Sequence, residues 1–177
     1  EEKIDAYQET LPYERVSVLI DRSESFLVND CICKKEQALL GEPCEKPLQV
    51  CLAMAPIPGV FDKSTNGRVI TKKEAHELMK QTEEAGLVHM TSNIQNGQIF
   101  ICNCCGCCCG VLRAINDLGI PAGQVVNSPY YADIDPDQCL FCGTCSDERC
   151  QVGAIEEGVE TNKIIREKCI GCGLCIS

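Results

Sequence analysis

Large aromatic side chains are scarce in this sequence, and tryptophan is absent. Phe, Tyr and Trp together make up 5% of the 177 residues. Because aromatic residues bury the largest areas per side chain, the apolar core is modest for a chain of this length. We therefore expect something besides hydrophobic packing to hold the fold together.

Hydrophobic runs long enough to cross a membrane are also lacking. The longest apolar stretch, Val50 to Phe61, is interrupted by proline and glycine and is shorter than the ~20 residues of a membrane helix. Residues 1–5 are mostly charged and do not form the apolar core of a signal peptide. These features predict a soluble, cytoplasmic protein without membrane insertion.

Basic residues are in the minority. Lys and Arg number 16 against 26 Asp and Glu, which gives a formal net charge of -10. An acidic chain repels phosphate backbones, so no nucleic-acid partner is expected. The sequence also has no Ser-His-Asp set, phosphate-binding glycine loop or flavin fingerprint, and we expect catalysis to lie in a partner protein.

Cysteine, by contrast, is abundant, with 17 residues. Six of them fall between Cys102 and Cys109. Such close neighbours cannot all reach disulfide partners at the required Cα separation of about 4.4–6.8 Å, and the total is odd. The composition therefore favours metal binding over a disulfide scaffold.

Helix signals are clear at two places. The first helix begins at Pro12 and ends near Asp21 to Ser23, with apolar residues along one stripe. The second begins at Thr71, which forms a capping box with Glu74, and ends before Gly86. We also expect a short helical turn within residues 47–52.

Strand signals follow the second helix. Residues 87–91 and 98–102 are predicted strands, and Asn96-Gly97 between them is a strong hairpin signal. A capped helix followed by a hairpin resembles the end of a winged-helix unit. His89, on the first of these strands, is expected to be structural rather than a ligand. The elements together predict an α+β fold.

A domain boundary is expected where proline, glycine, asparagine and serine replace large apolar residues. Residues 121–129 have this composition and form the predicted linker. The sequence thus divides into a cysteine-rich domain, residues 1–120, and a second domain, residues 130–177.

The second domain contains an internal repeat. The pattern C-x-x-C-x-x-C begins at Cys139 and again at Cys169, thirty residues later. Three thiolates at this spacing surround one face of a compact cluster, because the loop turns about its own backbone amides. Glycines allow the backbone to approach closely, and they are Gly143, Gly171 and Gly173.

On these motifs, residues 130–177 resemble a bacterial-type ferredoxin domain with two [4Fe–4S] clusters. The resemblance implies that one cluster is bound by Cys150, Cys169, Cys172 and Cys175. It implies that the other is bound by Cys139, Cys142 and Cys145, with a fourth ligand a few residues after Cys175. The sequence ends at Ser177, so we expect a longer chain, a partner, a non-protein ligand or a three-iron cluster to complete that site.

The match to the ferredoxin pattern has two departures. Four residues instead of three separate Cys145 from Cys150, and Gln151 stands where the family has proline. Both changes fall on the loop that carries Cys150. Structural zinc is the alternative for C-x-x-C motifs, but two triplets with an intervening cysteine favour iron and sulfide.

Ten further cysteines lie upstream and are predicted to bind metal, with two more [4Fe–4S] clusters as the expected cofactors. They are Cys31, Cys33, Cys44, Cys51, Cys102, Cys104, Cys105, Cys107, Cys108 and Cys109. If the strand continues past Cys102, alternation directs Cys102 and Cys104 to one face and Cys105, Cys107 and Cys109 to the other. Gly106 and Gly110 would let the chain bend around the two sites. A role for some of these cysteines as small buried residues, and a cluster of more than four irons, remain open.

These sites predict an iron–sulfur electron-transfer protein or subunit that exchanges low-potential electrons with a partner oxidoreductase. Because filled sites add negative charge to an acidic chain, the redox partner is expected to dock through a basic face. Two alternatives are an iron–sulfur sensor built on the winged-helix-like unit and a reductase with its active cluster in the N-terminal domain.

Overall fold

The computed structural model describes residues 8–159 and 161–177, so the charged residues 1–5 lie outside the described part. The fold is α+β, as predicted. Its helices are α1 (Tyr13–Asp21), α2 (Ile32–Leu39), α3 (Lys72–Glu84), α4 (Gly110–Asn116) and α5 (Ala122–Val125), with a π-helical turn at Cys145–Arg149. Its strands are β1 (Gln8–Leu11), β2 (Ser25–Asp30), β3 (Gln49–Ala55), β4 (Arg68–Ile70), β5 (Val88–Ser92), β6 (Phe100–Cys104), β7 (Val126–Asn127), β8 (Ile155–Glu156) and β9 (Lys163–Ile164).

Seven strands form one mixed sheet in the order β4-β2-β3-β6-β5-β1-β7. All neighbours are antiparallel except β1 and β7, which are parallel. Leu52 in β3 pairs with Ile101 in β6, and Met90 in β5 pairs with Cys102 in β6. Strand β6, which carries the first cysteines of the dense run, is thus held in the middle of the sheet. Strands β8 and β9 form a separate antiparallel pair.

Helices α1 and α3 cover one face of the large sheet. Val16 and Ile20 from α1 and Met79 from α3 are fully buried against strand residues such as Phe26 and Leu52. Alternation along β3 and β6 places Leu52, Met54 and Ile101 on this face. Cys51 in β3 and Cys102 and Cys104 in β6 therefore lie on the opposite face.

A second core lies on the cysteine-bearing face of the sheet. It combines Val88 and Met90 of β5 with Leu112 of α4 and with two residues near the end of the chain, Ile170 and Leu174. The side-chain hydroxyl of Thr10 in β1 also donates to the carbonyl oxygen of Ile170. The C-terminal segment is therefore packed on the sheet, beside the region that carries the upstream cysteines.

The two helix predictions and the hairpin are confirmed. Helix α1 begins after Pro12, and α3 has the full capping box, in which Thr71 accepts from the Glu74 backbone N–H and Glu74 accepts from the Thr71 N–H. Gly86 follows the helix with a φ of 68°, the left-handed conformation expected at that position. Strands β5 and β6 pair as a hairpin across Gly97.

The winged-helix comparison does not hold. A wing is a hairpin at the edge of its unit, whereas β5 and β6 have strand partners on both outer sides, β1 and β3. The predicted helical turn in residues 47–52 is also wrong, because β3 begins at Gln49 and buries Val50, Leu52 and Met54 on one face.

The predicted linker, residues 121–129, has regular structure in part. It contains α5 and β7, and Ala122 and Val126 are buried in the second core. The division into two domains stays a prediction. In the described ranges 8–159 and 161–177, no helix has the length and apolar character needed to cross a membrane.

Candidate metal centres

Four thiols converge at the turn between β6 and α4. The Sγ atom of Cys44 lies 3.8 Å from that of Cys105 and 3.6 Å from that of Cys107, and the Sγ atoms of Cys107 and Cys108 are 3.7 Å apart. All four sulfur atoms lie within 4.8 Å of one another. We call this group the tight quartet, and it can hold a metal.

Local backbone geometry assembles the tight quartet. Strand β6 ends at Cys104, and residues 106–108 form a turn that brings three thiols together. The backbone N–H of Gly106 donates to Oε1 of Gln151 at 2.9 Å, and a Cβ at Gly106 would collide with the Gln151 carbonyl. Cys44 reaches the turn from the segment between α2 and β3, where Lys46 Nζ donates to the Ala85 carbonyl at 2.6 Å.

Hydrogen bonding within the tight quartet favours the thiolate form of one member, Cys44. Burial acts to raise the pKa of Cys44, but hydrogen bonds from the Lys46 backbone and from Cys107, Cys105 and Cys108 outweigh it and lower that pKa. Burial raises the pKa of Cys105 to about 12 and also raises the pKa of Cys108. A bound cation would reverse these last two shifts, because its charge stabilises thiolates.

A second, looser group of thiols covers the cysteine-bearing face of the sheet. The β3–β6 register, extended by one residue from Leu52 and Ile101, sets Cys51 opposite Cys102. Hydrogen bonds link thiols along the series Cys31, Cys51, Cys102, Cys104 and Cys109, and Cys33 lies beside Cys109 and accepts from the Gly110 N–H. We call these six residues the sheet-face group.

Two thiols of the sheet-face group are strongly favoured as thiolates. Hydrogen bonds from Cys104 and Cys51 lower the pKa of Cys102 to about 4. A hydrogen bond from Cys104 lowers the pKa of Cys109 to about 6. The thiolate is the form that binds metal, so Cys102 and Cys109 are favoured as ligands. The partner thiols that donate these hydrogen bonds, Cys51 and Cys104, have raised pKa values.

The predicted alternation of the dense run is correct for Cys102 and Cys104 and wrong for Cys109. Cys102 and Cys104 share a side, and Cys105 and Cys107 share the other. Cys109, however, lies with Cys104 because the strand ends there and Cys109 precedes the first turn of α4. Of the earlier cysteines, Cys44 belongs to the tight quartet, while Cys31 and Cys51 belong to the sheet-face group.

A cavity of about 440 Å³ lies in the C-terminal part, and four cysteines line it. They are Cys150, Cys169, Cys172 and Cys175, the set that the ferredoxin resemblance implies for one cluster. The rest of the lining is mainly apolar and includes Val152, Ile170 and Leu174. Burial raises the pKa of Cys172 to about 12.

Backbone N–H groups point at sulfur atoms of this cavity. Ala154 N–H donates to Cys150 Sγ at 3.2 Å, and Ala132 N–H donates to Cys169 Sγ at 3.4 Å. Gly171 has a φ of 61°, and a Cβ there would collide with the Tyr130 carbonyl. A cavity lined by four thiols, with N–H donors to two of them, has the donor set that a [4Fe–4S] cluster takes, since the sulfurs of such clusters accept hydrogen bonds of this kind.

Residues 161 and 162 contact two of the three thiols of the first repeat, Cys139 and Cys145. The Thr161 hydroxyl and the Asn162 backbone N–H lower the pKa of Cys139, and the Thr144 hydroxyl lowers that of Cys142. Nδ2 of Asn162 donates to Cys145 Sγ at 3.5 Å. Oδ1 of the same side chain is buried and has no hydrogen-bond partner among the described residues. Such an orphaned atom, on the side chain that contacts the Cys145 thiol, fits a site for a bound group.

Gly143 and Gly173 have positive φ angles of 76° and 83° within the two repeats. A Cβ at Gly110 would meet open space, and the contribution of this residue is its N–H, which faces Cys33. The sequence carries no signal for Asn162 and Thr161, which lie between the repeats and belong to no cysteine motif.

His89 has a structural environment, as expected. Its Nδ1 lies 2.6 Å from Oδ1 of Asn103, and its Nε2 lies 2.7 Å from Oε2 of Glu83. Asn103 also donates through Nδ2 to the Val50 carbonyl at 2.6 Å. These contacts lie on the sheet face opposite Cys102 and Cys104, so they fix the strand that carries both thiols.

Comparison with family models, with curated proteins and with solved structures finds no match to this chain. The ferredoxin resemblance therefore rests on cysteine spacing and on the grouping of the thiols. What the structure shows directly is a cysteine-rich α+β protein with a four-thiol site that can bind a metal.

Proposed function

We propose that this chain is an iron–sulfur electron-transfer protein, or the electron-transfer part of a larger oxidoreductase. The observation that carries the proposal is the cavity of about 440 Å³ lined by Cys150, Cys169, Cys172 and Cys175. Four thiols around a space of this size suit a polynuclear cluster, and their spacing in the sequence is that of a ferredoxin repeat. A bound [4Fe–4S] group supplies one-electron oxidation and reduction at low potential.

The chain's own residues hold and shield that group. Val152, Ile170 and Leu174 exclude water from one side of the cavity, and the Ala132 and Ala154 N–H groups face the ligand sulfurs. Both features influence the reduction potential, because hydrogen bonds and burial change the cost of adding an electron.

A route between centres is supported by shared packing. Cys104 and Cys109 of the sheet-face group belong to the same hydrophobic core as Cys150, Cys169 and Cys172. A cluster bound by the sheet-face group would thus lie across one core from the C-terminal cavity, and the Cys139 triplet would hold a third centre. Several one-electron centres in one chain connect a donor and an acceptor that do not touch each other.

We propose a redox partner with a basic docking face, since the net charge is -10 before any cluster is bound. We also propose a cytoplasmic location, where thiols and clusters are kept reduced. Nucleic acid is not proposed as a partner. The alternative of an iron–sulfur sensor depended on a winged-helix unit, and the position of β5 and β6 inside the sheet does not support such a unit.

The test is iron and acid-labile sulfide per chain in anaerobically purified protein, followed by a redox titration monitored by electron paramagnetic resonance. We expect at least eight irons with a similar amount of sulfide, and reversible one-electron reduction. Zinc without sulfide would overturn the proposal. If the clusters cannot be reduced and reoxidised, their role is structural and the electron-transfer proposal is wrong.

A further inference from the structure

The spacing of the sulfur atoms distinguishes the tight quartet from every other thiol group in the described chain. Its measured Sγ···Sγ distances are 3.6, 3.7 and 3.8 Å, and no pair exceeds 4.8 Å. Within residues 8–159 and 161–177, it is the one set of potential ligands that meets this limit. The tight quartet thus differs in size from the thiols around the C-terminal cavity.

Metal–sulfur geometry relates this spacing to the size of the bound group. Four sulfurs at about 2.3 Å from one central ion form a tetrahedron with edges of about 3.8 Å. A four-iron cluster inserts a cube between the thiolates and separates their sulfurs to roughly 6 Å. The three measured edges agree with the smaller tetrahedron and leave no room for the cube.

We propose that Cys44, Cys105, Cys107 and Cys108 bind a single tetrahedral, thiophilic metal ion, zinc or mononuclear iron, in place of the [4Fe–4S] cluster expected from the sequence. This inference goes beyond the proposed electron transfer and does not depend on it. Four thiolates satisfy all positions of one such ion, which is the closed arrangement of structural zinc sites.

The position of the tight quartet gives the ion a structural role. Cys44 comes from residues 40–48, which form neither helix nor strand, and the other three ligands come from the β6–α4 turn. Cys105 and Cys108 are buried together with Val50 and Leu87. The ion would fasten the loop to the sheet and would fix the turn whose two ends, Cys104 and Cys109, lead into the sheet-face group.

Two variants separate the tight quartet from the C-terminal cavity. Protein is produced with both iron and zinc in the medium and purified anaerobically, and both metals are counted by mass spectrometry. We expect Cys44→Ala to lose one zinc, or one mononuclear iron, and to keep the cluster iron and all sulfide. The matched control, Cys150→Ala, should lose about four irons with sulfide and keep the single ion.

Spectroscopy of the unmodified protein keeps the test valid if either variant fails to fold. Zinc X-ray absorption should show four sulfurs at about 2.3 Å and no nearby metal. Without zinc, a mononuclear high-spin ferric signal in the oxidised protein identifies single iron and also supports the proposal. Absence of both, with loss of about four irons and their sulfide in Cys44→Ala, would overturn it while leaving the proposed electron transfer intact.

Discussion

Asn162 donates a hydrogen bond from Nδ2 to the Sγ atom of Cys145 over 3.5 Å, and its side chain is only 4% exposed. The buried amide lies between the two cysteine repeats in sequence but beside the first of them in space. Hydrogen bonds to ligand sulfur stabilise the reduced, more negative state of a cluster. In the proposed iron–sulfur protein, Asn162 therefore acts as a positioning residue for the centre assigned to Cys139, Cys142 and Cys145.

Replacement of Asn162 by leucine should lower the reduction potential of the centre proposed at this site. A loss of roughly 1 kcal/mol between the two redox states corresponds to about 40 mV for one electron. Redox titration followed by electron paramagnetic resonance measures the shift. Asn66→Leu, at an exposed loop position, is the control and should leave every potential unchanged. An unchanged potential in Asn162→Leu would show that the contact does not act on the cluster.

Cys150→Ala should remove one cluster and spare the Cys139 triplet. The structure places Cys150 on the cavity with Cys169, Cys172 and Cys175, whereas Cys145 faces Asn162. Iron content should fall by about four per chain. Cys139→Ala is the matched variant and should remove a different signal. Loss of all cluster signals in both variants would instead mean that the sites fold as one unit.

The thiol groups differ in how far the sequence predicts them. The set of Cys150 with Cys169, Cys172 and Cys175 follows from a local spacing repeated thirty residues apart. The tight quartet depends on Cys44, which approaches the β6–α4 turn from a loop about sixty residues earlier, and no local pattern encodes that approach. Cys109 was misplaced because alternation holds only while the strand lasts, and β6 ends at Cys104.

Secondary structure shows the same contrast between local and long-range determinants. Helix α3 was predicted because its capping box lies within four consecutive residues. Strand β3 was missed although Val50, Leu52 and Met54 alternate, because its short apolar run is ambiguous until sheet partners are known. Asn162 had no signal at all, since a single buried amide acquires its role only from the neighbours that folding brings to it.

Glu83→Gln should destabilise the protein at neutral pH. Burial acts to raise the pKa of Glu83, but the hydrogen bond with His89, together with the Ser177 hydroxyl and the Arg149 charge, outweighs it, so the pKa lies below the ordinary 4.5. A carboxyl with a lowered folded-state pKa contributes stability above its unfolded pKa and loses it as the pH falls through the folded value. We expect the free energy of unfolding to be about 1–2 kcal/mol lower in Glu83→Gln at neutral pH, and this deficit should narrow as the pH falls below about 4.5.

Anaerobic urea unfolding followed by circular dichroism at several pH values measures this deficit. Glu77→Gln is the matched control, because Glu77 lies on the same helix and is exposed. It should change stability by less than about 0.5 kcal/mol. If the difference in unfolding free energy already narrows between pH 7 and pH 6, protonation of the Glu83 carboxylate is not what removes the stabilisation.

Thr71→Ala should weaken helix α3 without affecting the metal centres. The Thr71 hydroxyl accepts from the Glu74 N–H at 3.2 Å and donates to Glu74 Oε2 at 2.9 Å. Loss of such a cap costs about 1 kcal/mol, which lowers Tm by roughly 2–4 °C in a chain of this size. Helix α3 packs on the sheet face opposite Cys102 and Cys104, so the iron content should not change. Thr65→Ala, at an exposed threonine, is the control. A loss of iron in Thr71→Ala alone would show that the two sheet faces are coupled through β6.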